Sequence, residues 1–332
     1  MRIWISAIVI HASAPALAAG PDLQAIVETH VLPGYRTLAD EADALASAAS
    51  SDCRPESPAL RAAYHDAFDA WIAVSHLRFG PSEHEDRAFA LAFWPDPRGS
   101  TPKSLAALLR DEDPIIDSRE SFATVSVAAR GFHALEFLLF DAHYIRIEGA
   151  AADYRCALIQ AVCQDISINA AAILGDWQNG YADLIGNPGN DSYRSPGEAA
   201  RQFFTALSTG LEFTSGIRLG RPMGTFDRPR PKRAEARRSG RSLRHVMLSL
   251  ESTQGLATLL AGGDEGLERA FETAIGRATE LDDPVFAGVA DPQGRLRFEV
   301  LKQDIDDIRR LLAEGLGPSL GIAAGFNALD GD

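Results

Sequence analysis

Residues 129–140 read ARGFHALEFLLF. Apart from Arg130, His133 and Glu136 the stretch is apolar on every side, the pattern of a helix enclosed by protein rather than one lying on a surface. The three ionisable residues are spaced by three, so on a helix they project to nearly one side. Burying charge is costly unless the charge is paired or coordinated. Two arrangements would compensate them. One is an internal Arg130–Glu136 ion pair with His133 hydrogen-bonded in the core. The other is a metal site, because imidazole and carboxylate suit zinc or iron and H-x-x-E supplies two of the ligands needed. In that case Arg130 would favour the ionised form of Glu136, and Gly131 would admit a close backbone or ligand. The zinc-peptidase signatures H-E-x-x-H and H-x-x-E-H are both absent, since Ala134 follows His133 and Phe137 follows Glu136.

The same helical periodicity extends in both directions. Residues 21–50 carry apolar positions at helical spacing. In 59–79, Leu60, Tyr64, Phe68, Trp71 and Val74 form one stripe, which Gly80 and Pro81 end. Ser100 or Thr101 is a candidate cap for the next helix, and 119–140 and 151–183 read as two long helices. The run LIGNPGNDSYRSPGEAA at 184–200 is the best domain boundary. Helices resume after it, with further segments at about 242–262, 264–281 and 296–315. No segment alternates as a strand would. The expected fold is all-α, with two helical-bundle domains at 19–185 and 195–332. A weak echo between residues 127–137 and 206–214 suggests internal duplication.

Of the 332 residues 46% are hydrophobic and 23% charged, which is globular composition. The net charge of −14 excludes a general nucleic-acid binder. The N-terminus has Arg2, an apolar Ile3–Ile10 core and an Ala16-Leu17-Ala18 cleavage site, so 1–18 reads as a signal peptide. No later run reads as a membrane-spanning helix, so no stable membrane insertion is expected. The expected location is the periplasm, where disulfides can form. Cys156 and Cys163 lie two turns apart on one helix, too far to bridge, so any disulfide includes Cys53.

Other residues could complete a site. Asp96, in a WPDPRG loop, is either a ligand or a turn aspartate. His76 shares a helical face with His65 and Asp69, a face that could simply be solvated. Glu83, His84, Glu85 and Asp86 form an acidic run, and Asp330 and Asp332 end the chain. Residues 218–244 carry ten cations in an otherwise acidic protein. They read either as a solvated, charge-balancing loop that pairs with acidic neighbours or as an anion site, with Arg238, Ser239 and Ser242 at a helix start where an anion would be favoured.

The combination of Gly131, His133 and Glu136 (G-x-H-x-x-E) with AWIAVSHLRFGP (70–81), FWPDPRG (93–99), EARRSGRSL (235–243) and LGIAAGFNALDGD (320–332) resembles the imelysin-like family, peptidase family M75. The resemblance implies an exported bacterial protein associated with iron uptake. It also implies two helical bundles with the G-x-H-x-x-E site near their interface. The expected cofactor is a divalent or ferric metal ion, iron before zinc, held by His133 and Glu136. The expected partners are that metal or a small metal-bearing ligand, and other iron-uptake proteins of the envelope. The alternatives are a metallopeptidase and a non-catalytic interaction protein with a structural polar stripe.

Overall fold

The computed structural model describes residues 20–322, so the expected leader at 1–18 and the acidic pair Asp330 and Asp332 lie outside the described residues. Among the described residues every regular element is helical, apart from one isolated bridge between Thr225 and Arg228. Nine helices have ten residues or more: α1 Leu32–Ser51, α2 Pro58–Val74, α3 Ser100–Asp111, α4 Gly131–Phe140, α5 Ala150–Asp176, α6 Pro196–Glu212, α7 Ser242–Ala261, α8 Glu265–Leu281 and α9 Pro292–Leu311.

The buried residues fall where the periodicity puts them. In α1, Tyr35, Leu38, Ala42, Leu45 and Ala49 are enclosed; in α2, Leu60, Tyr64, Phe68 and Trp71 are. Each set repeats every three or four residues, so each helix turns one stripe toward its neighbours. α1 packs on α2 and α5, and α5 also packs on α4. In the second half α6, α7, α8 and α9 pack in sequence, and α9 returns against α6. The halves meet where α7 lies on α2.

Two expectations need correction. The helix expected at 119–140 is broken into Arg119–Phe122, a tight turn at Val127–Ala129, and α4. Arg130 is extended (φ −111°, ψ 164°), and Gly131 follows with φ +71°. Gly131 also sits on the backbone of the preceding segment: a Cβ there would lie 2.2 Å from the Leu91 carbonyl oxygen and 2.3 Å from that of Ala90. Only glycine meets both demands. Second, residues 150–186 form one helical run long and apolar enough to cross a membrane, although no such run was expected. Here α5 is the central helix of the N-terminal half, with Leu158, Ile159, Val162, Ile166, Ala170 and Ile173 buried.

Cys53 is bridged to Cys156, with 5.2 Å between their Cα atoms, tying the end of α1 to α5. Cys163 is a buried free thiol.

Candidate functional site

α4 is a short helix with little choice of orientation, because nearly all of its residues are buried. His133 and Glu136 both face inward, at 5% and 3% exposure. The third member of the expected stripe does not join them. With its backbone extended, Arg130 turns away and donates to both oxygens of Asp165, Nε to Oδ2 at 3.0 Å and Nη2 to Oδ1 at 2.7 Å, and to the Ala123 carbonyl. It neither pairs with Glu136 nor adjusts its charge.

The partner of Glu136 comes from the segment before α7. Ser239 donates to Glu136 Oε1 twice, from its backbone N–H at 3.0 Å and its hydroxyl at 3.1 Å. The anion expected at the start of α7 is thus supplied by the chain itself. Beside it, Arg238 lies 3.6 Å from the centre of the Phe137 ring and bonds Asp141 at 2.7 Å. Burial raises the Glu136 pKa, and the Ser239 bonds and the Arg238 charge only partly offset this. Ser242 is engaged with the backbone on both sides. Its hydroxyl donates to the Glu235 carbonyl at 2.6 Å and its N–H to that of Pro284, which fixes the segment.

Glu235 is the residue that sequence reasoning missed. Its carboxylate is 5% exposed, and the equally buried Arg218 donates to its Oε2 at 2.7 Å. His245 Nδ1 lies 3.2 Å from the same oxygen, and His133 Nε2 lies 3.8 Å from Oε1. Burial opposes ionisation of Glu235, but Arg218 and the two imidazoles outweigh it and hold the carboxyl well below the usual range. Burial pushes His133 down to about 4, against the pull of Glu235, so its ring is neutral at pH 7. His133 Nε2 is buried without a hydrogen-bond partner. Nothing in the spacing of Arg218, Glu235 and His245 marks them. The one available signal was that Glu235 begins the EARRSGRSL segment and Arg218 begins the run of cations.

Glu235 and Arg218 also form the polar end of a cavity of about 580 Å³, a volume usual for small-molecule sites. Its walls come from both halves: Trp71, Ser75 and His76 from α2 and the residues after it, Trp94 from the following loop, Phe213 after α6, and Thr253 of α7. The Trp94 indole stacks toward His133, with ring centres 6.2 Å apart. His76 does not sit on a solvated face. It is 6% exposed and its Nε2 lies 3.1 Å from Nε2 of His30. Asp69 is likewise covered, by Arg241 and Arg244. Asp96 accepts from the backbone N–H groups of Ser100 (2.9 Å) and Thr101 (2.8 Å), so it caps α3. In the acidic run, Glu83 pairs with Arg78.

The cluster does not form a cage for a bare ion. Among the described residues no three His, Cys, Asp or Glu side chains are grouped to hold a metal. Glu136 Oε1 is engaged by Ser239 and Glu235 Oε2 by Arg218. The unpartnered His133 Nε2 and, 3.8 Å from it, Glu235 Oε1 are a nitrogen and an oxygen donor of the kinds that would hold a metal arriving with other ligands.

Comparison of the sequence with curated proteins finds no match. Solved structures that share the fold include the following two. An imelysin-like protein from Psychrobacter arcticum 273-4 superposes with a TM-score of 0.76 at 20% identity, covering 92% of this chain and 96% of that one. A candidate iron-regulated protein A precursor from Parabacteroides distasonis ATCC 8503 gives 0.72 at 13% identity, covering 94% and 96%. The imelysin family profile (peptidase M75) matches residues 31–312, and the chain belongs to the imelysin family.

Proposed function

We propose that this is an exported, iron-related binding protein of the periplasm that takes a small metal-bearing ligand into the cavity between its helical halves. The observation that carries the reading is a cavity of about 580 Å³ lined by Glu235, whose carboxylate lies 3.8 Å from a buried imidazole nitrogen of His133 that has no partner. The similarity to an iron-regulated protein supports iron as the metal. A bound iron centre would offer open coordination positions to nitrogen and oxygen donors. His133 supplies a neutral nitrogen donor, kept neutral by burial. Glu235 supplies an anionic oxygen, kept ionised by Arg218. Trp94, Trp71 and Phe213 would cover the organic part of the ligand and exclude water. In this arrangement Glu136 is a positioning residue, fixing the Arg238–Ser239 segment that leads back to Glu235. An envelope partner that receives the ligand is part of the same proposal.

The test is calorimetric titration of the metal-stripped mature protein with ferric citrate, with ferrous iron under anaerobic conditions, and with zinc. The expected result is saturable binding of the chelate, lost in His133→Ala and Glu235→Gln, with weak binding of the bare ions. Chelate binding unchanged in both variants would overturn the site. Tight binding of a bare ion lost in Glu136→Gln but not in Glu235→Gln would return the carboxylate role to Glu136.

A further inference from the structure

Ten cations lie between residues 218 and 244, and four are neutralised by acids: Arg218 by Glu235, Arg238 by Asp141, and Arg241 and Arg244 by Asp69. Arg221, Arg228, Arg230, Lys232, Arg233 and Arg237 form no ion pair with the described residues. In a chain of net charge −14 such a concentration of unpaired cations is not explained by general charge balance.

The backbone brings three of the six together. Arg221 lies on the short helical turn Gly220–Met223. After it, Gly224 (φ +55°) reverses the chain so tightly that a Cβ there would lie 2.4 Å from the Arg228 carbonyl oxygen. The returning strand lays Arg230 against that turn, its N–H donating to the Pro222 carbonyl at 2.8 Å. The next turn, Pro231–Arg233, packs on the same helical turn. Arg221 is affected by its surroundings: burial, then the charges of Arg233 and Arg230, all lower its pKa. Its Nε is buried without a partner. Its guanidinium stands 5.9 Å from the centre of the Trp94 ring, and Trp94 is a wall of the cavity.

We propose that Arg221, Arg230 and Arg233 form an oxyanion site at the Trp94 edge of the cavity, and that it takes the carboxylate or phosphate groups of a multiply charged small anion. Guanidinium groups match both kinds of oxyanion in a bidentate way, and a third positive charge makes a single carboxylate a poor match. The inference rests on the reading of the cavity as a ligand site and adds the charge class of that ligand. The exposed Phe226 on the same loop would suit a different class of partner, an anionic membrane surface. The small anion is favoured because Arg221, with the buried unpartnered Nε, stands beside Trp94, a wall of the cavity, rather than at the loop tip.

The experiment uses metal-free anions, so its outcome does not depend on coordination at His133. Sodium citrate and sodium pyrophosphate are titrated at low ionic strength into the mature protein, Arg221→Gln/Arg233→Gln, and Arg119→Gln, an exposed cation of the N-terminal half. None of the three substituted residues has an acidic partner among the described residues, so the variants should keep the parent melting temperature. Expected is saturable binding of at least one anion, weakened roughly tenfold or more in the double variant and by added salt, and unchanged in Arg119→Gln. Citrate alone would identify a carboxylate ligand, pyrophosphate alone a phosphate ligand. Binding of neither, equal binding by the double variant, or binding only to phosphatidylglycerol vesicles would overturn the proposal.

Discussion

Removing Arg218 while leaving Glu235 in place should be among the most damaging single changes in the protein. Both side chains are 5% exposed and joined at 2.7 Å. Arg218 also reaches Thr214 Oγ1 at 3.4 Å, and its guanidinium stands 4.9 Å from the Phe213 ring centre. In Arg218→Met the volume is largely kept, but a buried carboxylate is left without its guanidinium, facing His133 and His245. Breaking a buried pair in this way costs about 3–5 kcal/mol. At about 2.1 cal/mol/K per residue over about 300 residues, that corresponds to a fall in Tm of roughly 5–8 °C. Arg218→Met/Glu235→Gln should recover much of the loss, because no uncompensated charge remains. The assay is thermal unfolding at pH 7 of wild type, both single variants and the double, read as a double-mutant cycle. The single Arg218 variant should also raise the pKa of His133, visible in its imidazole proton resonances, as the ring takes up a proton to pair with Glu235. Additive effects with no histidine shift would refute the account of a charge held by Arg218.

Acid should destabilise the protein before ordinary carboxylates titrate. His133 and His30 are held by burial at about 4, against 6.5 when free, and burial also holds His76 well below its free value. The unfolded chain therefore takes up protons first, and stability is lost as pH falls from about 6.5 toward 4, by a few kcal/mol in total. Glu136, raised by burial, offsets part of this as it protonates; a Tm that is flat or rising from pH 7 to 5 would contradict the burial of neutral imidazoles. Reducing the Cys53–Cys156 bridge, which spans 103 residues, should cost about 4–5 kcal/mol on the chain-entropy estimate, checked by denaturant titration with and without reductant. Gly131→Ala should destabilise by more than about 3 kcal/mol, because the new Cβ meets the Ala90 and Leu91 carbonyl oxygens and the positive φ adds strain, so a variant with near-native Tm would show that the contact between Ala90–Leu91 and α4 can relax.

The sequence by itself determined the all-α class and most helix positions, because a stripe repeating every three or four residues is a local property of the chain. Trp71, Tyr64 and Leu60 were buried for the same reason they were periodic. It also marked α4 as the centre of interest, since two ionisable groups in an apolar helix must be compensated by something. What compensates them was decided only by tertiary structure. Arg130 was one turn away in sequence, yet a positive-φ glycine after it sends its side chain to Asp165, while Glu136 is met by Ser239 from 103 residues further on. Asp96 and Ser239 looked alike as candidate polar groups, but one caps a helix and the other binds a buried carboxylate. Glu235 and Arg218 lay unremarked among surface-like charges, because nothing local distinguishes a cation that will be solvated from one that will be enclosed. Burial is a property of the assembled helices, and it is burial that gives these charges their partners, their pKa values and the cavity they close.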